Sequence, residues 1–334
     1  LVKDIAQLAT VLRQAFHLAR SGRPGPVLVD IPKDVQIART EFVWPEEVRM
    51  RSYNPTYRPN LNQLRRAADL ILAAERPLFI AGGGVISSNA SEILATLARE
   101  LSIPVTTTLM GLGAFPSDDP LSLRMPGMHG TYVANMAMNS ADLLIGVGAR
   151  FDDRVTGKLS TFAPKAKIIH IDIDPTSIRK TIQVDVPVVG DCRMALEGIR
   201  EVLSARLEAA PRDWSGDRAP WLNQLAEWRK ARPLTYAKGS NLKPQQVLEA
   251  LERITKGEAI IVTEVGQHQM WAAQFLSVRK PRTFFTSGGL GTMGYGLPAA
   301  IGVQLGLPDK LVIDVAGDGS IQMNSQEFMT AVAN

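Results

Sequence analysis

The chain has 334 residues, 45% hydrophobic and 21% charged, with a net charge of +4. Basic residues are scattered rather than gathered in a stripe, and no apolar run approaches the ~20 residues that cross a membrane. A nucleic-acid partner and a membrane span are therefore not expected, and Cys192, the single cysteine, excludes an internal disulfide and fits a reducing, cytoplasmic setting.

In chain order, Ile5, Leu8, Leu12, Phe16 and Ala19 have the spacing of an amphipathic helix over residues 3–20. Ser21-Gly22 ends it, and residues 26–31 read as a short buried strand closed by Pro32. Residues 41–60 carry Trp44-Pro45, Asn54-Pro55 and Arg58-Pro59 with little periodicity, which predicts a linker. A second unit follows, with helix 61–75, strand 77–81, a Gly82-Gly83-Gly84 turn, helix 89–101 and strand 103–107. It continues with helix 131–139, strands 142–147, 167–172 and 186–189, and helix 193–208. Such alternation predicts an α/β fold with a doubly wound parallel sheet. Residues 209–243 read as a second linker with a short helix near 221–230. A third unit runs through helix 244–255, strand 259–263, helix 268–276, strand 283–286, helix 294–305, strand 311–316 and helix 324–333. Both ends, Leu1 and Asn334, read as cuts through a longer protein.

Strand 311–316 opens into Gly317-Asp318-Gly319-Ser320 and then a helix. Glycines there let backbone N–H groups reach a diphosphate, and the carboxylate suits a bridging divalent ion. Residues 288–296 hold five glycines in nine positions around Met293, as expected where backbone packs against a planar ligand. Gly82-Gly83-Gly84, taken alone, favours a tight turn without a ligand. Gly146-Val147-Gly148-Ala149-Arg150 resembles half of a dinucleotide fingerprint, and Asp172 and Asp174 end the next strand as a ribose-binding carboxylate would. A nicotinamide dehydrogenase is thus an alternative, weakened by the missing third glycine. His129, in Gly127-Met128-His129-Gly130, is a candidate ligand contact or a plain loop residue. Phe151-Asp152-Asp153-Arg154 is either a self-paired loop or an Arg aimed at a substrate carboxylate, and composition does not choose. His17, His170 and His268 have no metal-ligand spacing with one another or with Cys192, which argues against zinc.

Taken together, Ser21-Gly22-Arg23-Pro24-Gly25-Pro26-Val27-Leu28-Val29-Asp30, Gly127-Met128-His129-Gly130-Thr131, Val147-Gly148-Ala149-Arg150-Phe151-Asp152-Asp153-Arg154, Gly266-Gln267-His268-Gln269-Met270-Trp271 and the glycine-rich run 288–298 closely resemble the large catalytic subunit of acetohydroxyacid (acetolactate) synthase. The resemblance covers essentially the whole chain, in order. It implies a thiamine-diphosphate enzyme of three α/β domains that also binds FAD. Residues 1–40 would be the tail of the first, pyrimidine-binding domain. Residues 61–208 would be a complete FAD-binding domain and 244–334 the first half of the diphosphate-binding domain, with 41–60 and 209–243 as linkers.

The resemblance also implies roles. Arg23, Gly82, Gly83, Gly84, Thr108, Leu109, His129, Gly148, Ala149, Arg150, Asp172 and Asp191 would contact FAD. Lys33, Met128, Asp153 and Arg154 would form the substrate pocket, Arg154 favouring the carboxylate of the second 2-oxo acid. Val265, Gly266, Gln267, His268, Gly291, Met293, Gly317, Gly319 and Ser320 would hold thiamine diphosphate, with Met293 propping its bent conformation and Asp318 binding Mg2+. The implied reaction joins pyruvate to pyruvate or 2-oxobutyrate, in a homodimer or larger assembly with a small regulatory subunit. The family's second metal ligand and its cofactor-activating Glu fall outside this sequence. Activity is therefore expected of the full-length parent, and no catalytic set is complete here. Glyoxylate carboligase, pyruvate oxidase and sulfoacetaldehyde acetyltransferase share the plan, but Arg154 and the segment 267–271 favour the synthase. A non-catalytic flavin-binding module is the alternative of another class.

Overall fold

The computed structural model describes residues 1–334. The first 60 residues hold two helices, α1 (Leu8–Arg20) and α2 (Lys33–Ile37). The segment 26–31, expected as a buried strand, pairs with no strand, and Leu28 is 92% exposed. An apolar run becomes a buried strand only where neighbours take up its N–H and C=O groups. Here Val2 N–H donates to the Asp30 carbonyl at 2.9 Å, and no adjoining strand supplies the rest.

The central unit runs through α3 (Leu61–Ala73), β1 (Pro77–Ala81), α4 (Gly83–Ser87), α5 (Ser91–Glu100), β2 (Val105–Thr107), β3 (Ser122–Arg124), α6 (Tyr132–Ser140), β4 (Leu143–Val147), α7 (Asp153–Thr156), β5 (Lys167–Asp172), β6 (Val186–Val189) and α8 (Cys192–Ala209). Its strands form one parallel sheet in the order β3-β2-β1-β4-β5-β6, doubly wound as expected. Period-2 alternation divides the strand side chains between two cores. Phe79, Ile145, Ile169 and Ile171 pack with α3, α5 and α8 on one face, while Leu78, Ile80, Leu144 and Ile168 pack with α6 on the other. β1 and β4 are buried along their whole length for this reason, and read as continuous apolar runs. The side-chain oxygens of Asn60, Thr131 and Asp191 start α3, α6 and α8 by accepting from the N–H groups of Asn62, Ala134 and Met194 at 2.9, 3.2 and 3.1 Å.

Residues 209–243, expected as a linker with a short helix near 221–230, hold α9 (Trp214–Asp217) and that helix, α10 (Ala219–Ala231), and both pack on the central sheet. Trp221 and Leu225 are each 3% exposed, and Trp221 Nε1 donates to the Pro77 carbonyl at 3.1 Å. The spacing Trp221, Leu225, Trp228 gives α10 an apolar stripe, and this stripe covers the sheet beside α6.

The last unit holds α11 (Pro244–Thr255), β7 (Ile260–Thr263), α12 (Gln267–Phe275), β8 (Phe284–Thr286), α13 (Gly296–Gly306), β9 (Val312–Val315), α14 (Asp318–Ile321) and α15 (Glu327–Ala333). Its three strands are parallel in the order β8-β7-β9. A small apolar cluster of Leu112, Met125, Ala273 and Val278 joins it to the central unit. Around that cluster, Arg279 pairs with Asp118 at 2.6 Å and with Glu252 at 3.0 Å. Arg282 donates to the Ile86 carbonyl at 3.0 Å and to Asn89 Oδ1 at 2.8 Å.

Candidate functional site

β1 and β4 are neighbours, but the chain leaves β1 toward β2 on one side and β4 toward β5 on the other. That reversal opens a crevice at the strands' carboxyl ends, the usual binding place in open α/β sheets. The turns that follow β1 and β4 meet there as bare backbone. Gly82 N–H donates to the Val147 carbonyl at 2.9 Å, and Gly84 N–H to the Gly148 carbonyl at 3.1 Å. A Cβ on Gly148, whose φ is +57°, would lie 2.5 Å from Gly84 Cα, so no side chain fits either position.

A cavity of about 910 Å³ lies between this crevice and the C-terminal unit. It gathers Gly83, Thr108, Leu109, His129, Gly148, Ala149, Arg150, Asp153 and Arg154 from one side with Val265, Gly266, Gln267 and Gly291 from the other. All of these were expected site residues. Arg150 pairs with Asp152 at 2.8 Å, and Arg154 approaches Asp153 at 3.4 Å with both side chains largely open to solvent. A smaller hollow of about 390 Å³ lies over the α5–α8 contact, where the ion pair Arg200–Glu100, with Ser204 and Glu208, edges a leucine floor.

Other expected residues lie elsewhere. Lys33 is exposed at the start of α2, and Met128 is exposed beside the cavity rather than lining it. Arg23 reaches the far end of β5, 3.4 Å from Asp174 and 3.2 Å from Ser177 Oγ. Asp172 is buried there, its carboxyl raised by burial, with Oδ1 accepting from Asp174 N–H at 2.9 Å. Asp191 serves as the cap of α8.

A second group collects where β7 and β9 end. A Cβ on Gly266 or on Gly317 would strike the His268 ring, at 2.8 and 2.7 Å. His268 therefore covers two bare backbone positions, and its buried Nε2 has no partner. Ser320 is buried and accepts from Gly317 N–H at 3.3 Å, while Asp318 is exposed at the first turn of α14. The Cε of Met293 comes within 3.7 Å of the place a Gly319 Cβ would take.

Two family profiles match the chain, "Thiamine pyrophosphate enzyme, central domain" over residues 64–199 and "Thiamine pyrophosphate enzyme, C-terminal TPP binding domain" over residues 264–334. This chain belongs to the thiamine pyrophosphate enzymes. It is 49% identical over 335 residues to the acetolactate synthase isozyme 3 large subunit of Escherichia coli (strain K12), across 99% of this chain and 58% of that relative. It is 50% identical over 332 residues to the acetolactate synthase large subunit of Corynebacterium glutamicum, across 98% of this chain and 51% of the relative. With acetolactate synthase 1, chloroplastic, of Nicotiana tabacum it shares 47% identity, across 99% of this chain and 49% of the relative. The chain is a homologue of acetolactate synthase large subunits, as its motifs implied, and spans about half the length of the curated relatives it matches.

Two acids of the C-terminal unit escaped the motif reading. Glu264, 0% exposed, accepts from Gly294 N–H at 2.7 Å and from Leu297 N–H at 3.1 Å. It thereby staples the glycine-rich loop and the start of α13 to the end of β7. Asp314 lies across from Val262 in the β7–β9 register, and both its carboxyl oxygens are buried without a partner. Burial, reinforced by the charge of Glu264, pushes Asp314 up to about 6. The available signal was an acid at the end of, or inside, an apolar run, at Ile260 to Thr263 and at Val312 to Val315.

Proposed function

We propose that this chain serves the thiamine-diphosphate-dependent joining of pyruvate to a second 2-oxo acid, giving 2-acetolactate or 2-aceto-2-hydroxybutyrate. The observation that carries this reading is a cavity in which Val265, Gly266 and Gln267, from the region matched by the TPP-binding-domain profile, meet glycine turns and Arg154 of the central domain. Thiamine diphosphate, when bound, supplies the carbanion chemistry that decarboxylation and carbon–carbon bond formation require.

The chain's own residues would bind, orient and exclude water. Gly266, Gly317 and Gly319 offer backbone with no side chain of its own, and His268, which lies over the first two, has a buried Nε2 without a protein partner. Asp318 would offer Mg2+ a hard oxygen ligand of the kind it prefers. Met293 would prop the cofactor from beside Gly319. Arg154 would hold the carboxylate of the second 2-oxo acid, a fork well matched to it. FAD would lie across the β1/β4 crevice, a reading supported by the strand order β3-β2-β1-β4-β5-β6, which is that of dinucleotide-binding sheets. Pyruvate and 2-oxobutyrate as substrates, a homodimer or larger assembly, a small regulatory subunit and a cytoplasmic setting complete the proposal. No helix is long and apolar enough to cross a membrane.

Titration with thiamine diphosphate and Mg2+, followed by tryptophan fluorescence, should saturate. Asp318→Ala should weaken that binding at least about tenfold, a loss of roughly 1.4 kcal/mol. FAD should bind with a shifted visible spectrum, and NAD should not compete with it. Pyruvate with and without 2-oxobutyrate should give the two acetohydroxy acids with the enzyme that contains this chain. NAD binding in place of FAD, with no response to thiamine diphosphate, would sink the reading in favour of a dehydrogenase.

A further inference from the structure

β3 ends on Arg124, whose backbone is left-handed at φ +63° although the residue is not glycine. Its side chain crosses to the C-terminal unit. Nη1 donates to the Gln274 carbonyl at 2.9 Å and lies 3.4 Å from the Leu276 carbonyl, while Nη2 lies 3.4 Å from Ser277 Oγ. Gln274 sits in the last turn of α12, where carbonyls lack helical partners and carry the negative end of the helix dipole. A guanidinium meets both needs. A second tie joins the same two segments, since Gln274 Nε2 donates to the His129 carbonyl at 2.7 Å. The segment that follows β3 lines the cavity with Met125 and His129, and α12 lines it with Gln267 and Trp271.

We propose that Arg124 is a positioning residue that fixes α12 against the central unit. It thereby sets the width of the cavity and the placement of Gly266, Gln267 and His268 at the other end of the helix. A left-handed non-glycine residue persists where its surroundings over-determine it, and such strain collects at functional sites. Here the strained backbone is what turns the guanidinium toward the helix end. α12 has nine residues, about 13 Å of rigid helix, so holding one end orients the other. The inference goes beyond the thiamine-diphosphate reading and rests on it only for the ligand arm of the test.

Arg124→Gly separates backbone from side chain, because glycine adopts this φ without strain. The full 334-residue chain should keep or raise its urea unfolding midpoint. Hydrogen exchange across α12 should quicken about tenfold while β1 and β4 stay protected. Arg124→Lys, which keeps the charge and loses the fork, should fall between. Thiamine diphosphate affinity should drop several-fold in Arg124→Gly and partly recover in Arg124→Lys. Unchanged exchange in α12, or loosening shared equally by β1 and β4, overturns the proposal. A wild-type chain that binds no thiamine diphosphate, with α12 still loosened by Arg124→Gly, upholds the strut and removes the cofactor reading instead.

Discussion

His170 is 1% exposed on β5, with the Phe151 ring edge-on at a centroid distance of 5.0 Å. Burial pushes it down to about 4, so at neutral pH the imidazole is uncharged and its 3.8 Å approach to Asp172 is not an ion pair. The unfolded chain takes up a proton near the ordinary value of 6.5, and the folded chain refuses it until about 4. The associated stability is present above pH 6.5 and is lost as pH falls from there toward 4. Between pH 7 and pH 5 the loss is about 2 kcal/mol. His170→Phe, which cannot titrate, should lose that much less stability over this interval in urea unfolding. Identical acid limbs for the two proteins would show that His170 is not the group responsible. Cys192 is the companion case, pushed up to about 12 by burial, and stays a thiol that fills space in the core.

The joint between α9 and α10 is built from two cations stacked on one buried aromatic ring. Arg212 and Arg218 each stack on Trp214, with 4.3 Å to the ring centroid. Arg218 is 1% exposed and donates to the Ile71 carbonyl at 3.0 Å and to the Leu101 carbonyl, which satisfies the ends of α3 and α5. Burial, with Arg212 nearby, lowers it to about 10, which still leaves it charged at neutral pH. Arg218→Ala should strand two buried carbonyls and open a cavity, destabilising by about 3 kcal/mol in chemical denaturation. A change below about 0.5 kcal/mol would mean that the stack contributes only as an exposed one would. Such a joint is hard to read from sequence, because a buried arginine looks like a surface one. The short helix near 221–230 is legible in the sequence, but its charged and proline-rich surroundings hide that it packs on the sheet. β5 and β6 were legible to the residue, since each is rich in β-branched side chains, Ile168, Ile169 and Ile171 in one and Val186, Val188 and Val189 in the other. β3 was not, being three residues long and ending on a charge. The segment 26–31 looked like any buried strand, because pairing partners leave no trace in the run itself. At the site, glycine turns were legible through sterics alone. Glu264, Asp314 and Arg124 were not, since the partners of Glu264 lie 30 and 33 residues on, the Gln274 carbonyl lies 150 residues from Arg124, and Asp314 is placed only by the β7–β9 register.

The two α/β units meet over a modest seam in which ion pairs and side chain–carbonyl bonds frame a small apolar cluster. Arg279→Ala together with Arg282→Ala should loosen that seam by about 1–2 kcal/mol and leave each sheet folded. Trypsin cleavage after Lys238, in the largely exposed stretch 232–243, should rise about tenfold with the far-ultraviolet circular dichroism unchanged. Unaltered cleavage would show that the apolar cluster alone holds the units together. The cavity belongs to this same seam, with walls contributed by both units. Occupancy and docking of the units are therefore one linked equilibrium. A ligand that touches both walls adds its binding free energy to their association, about 2.7 kcal/mol at a hundredfold excess over its Kd. The units in turn lend each other's ligand the affinity that either wall alone would lack.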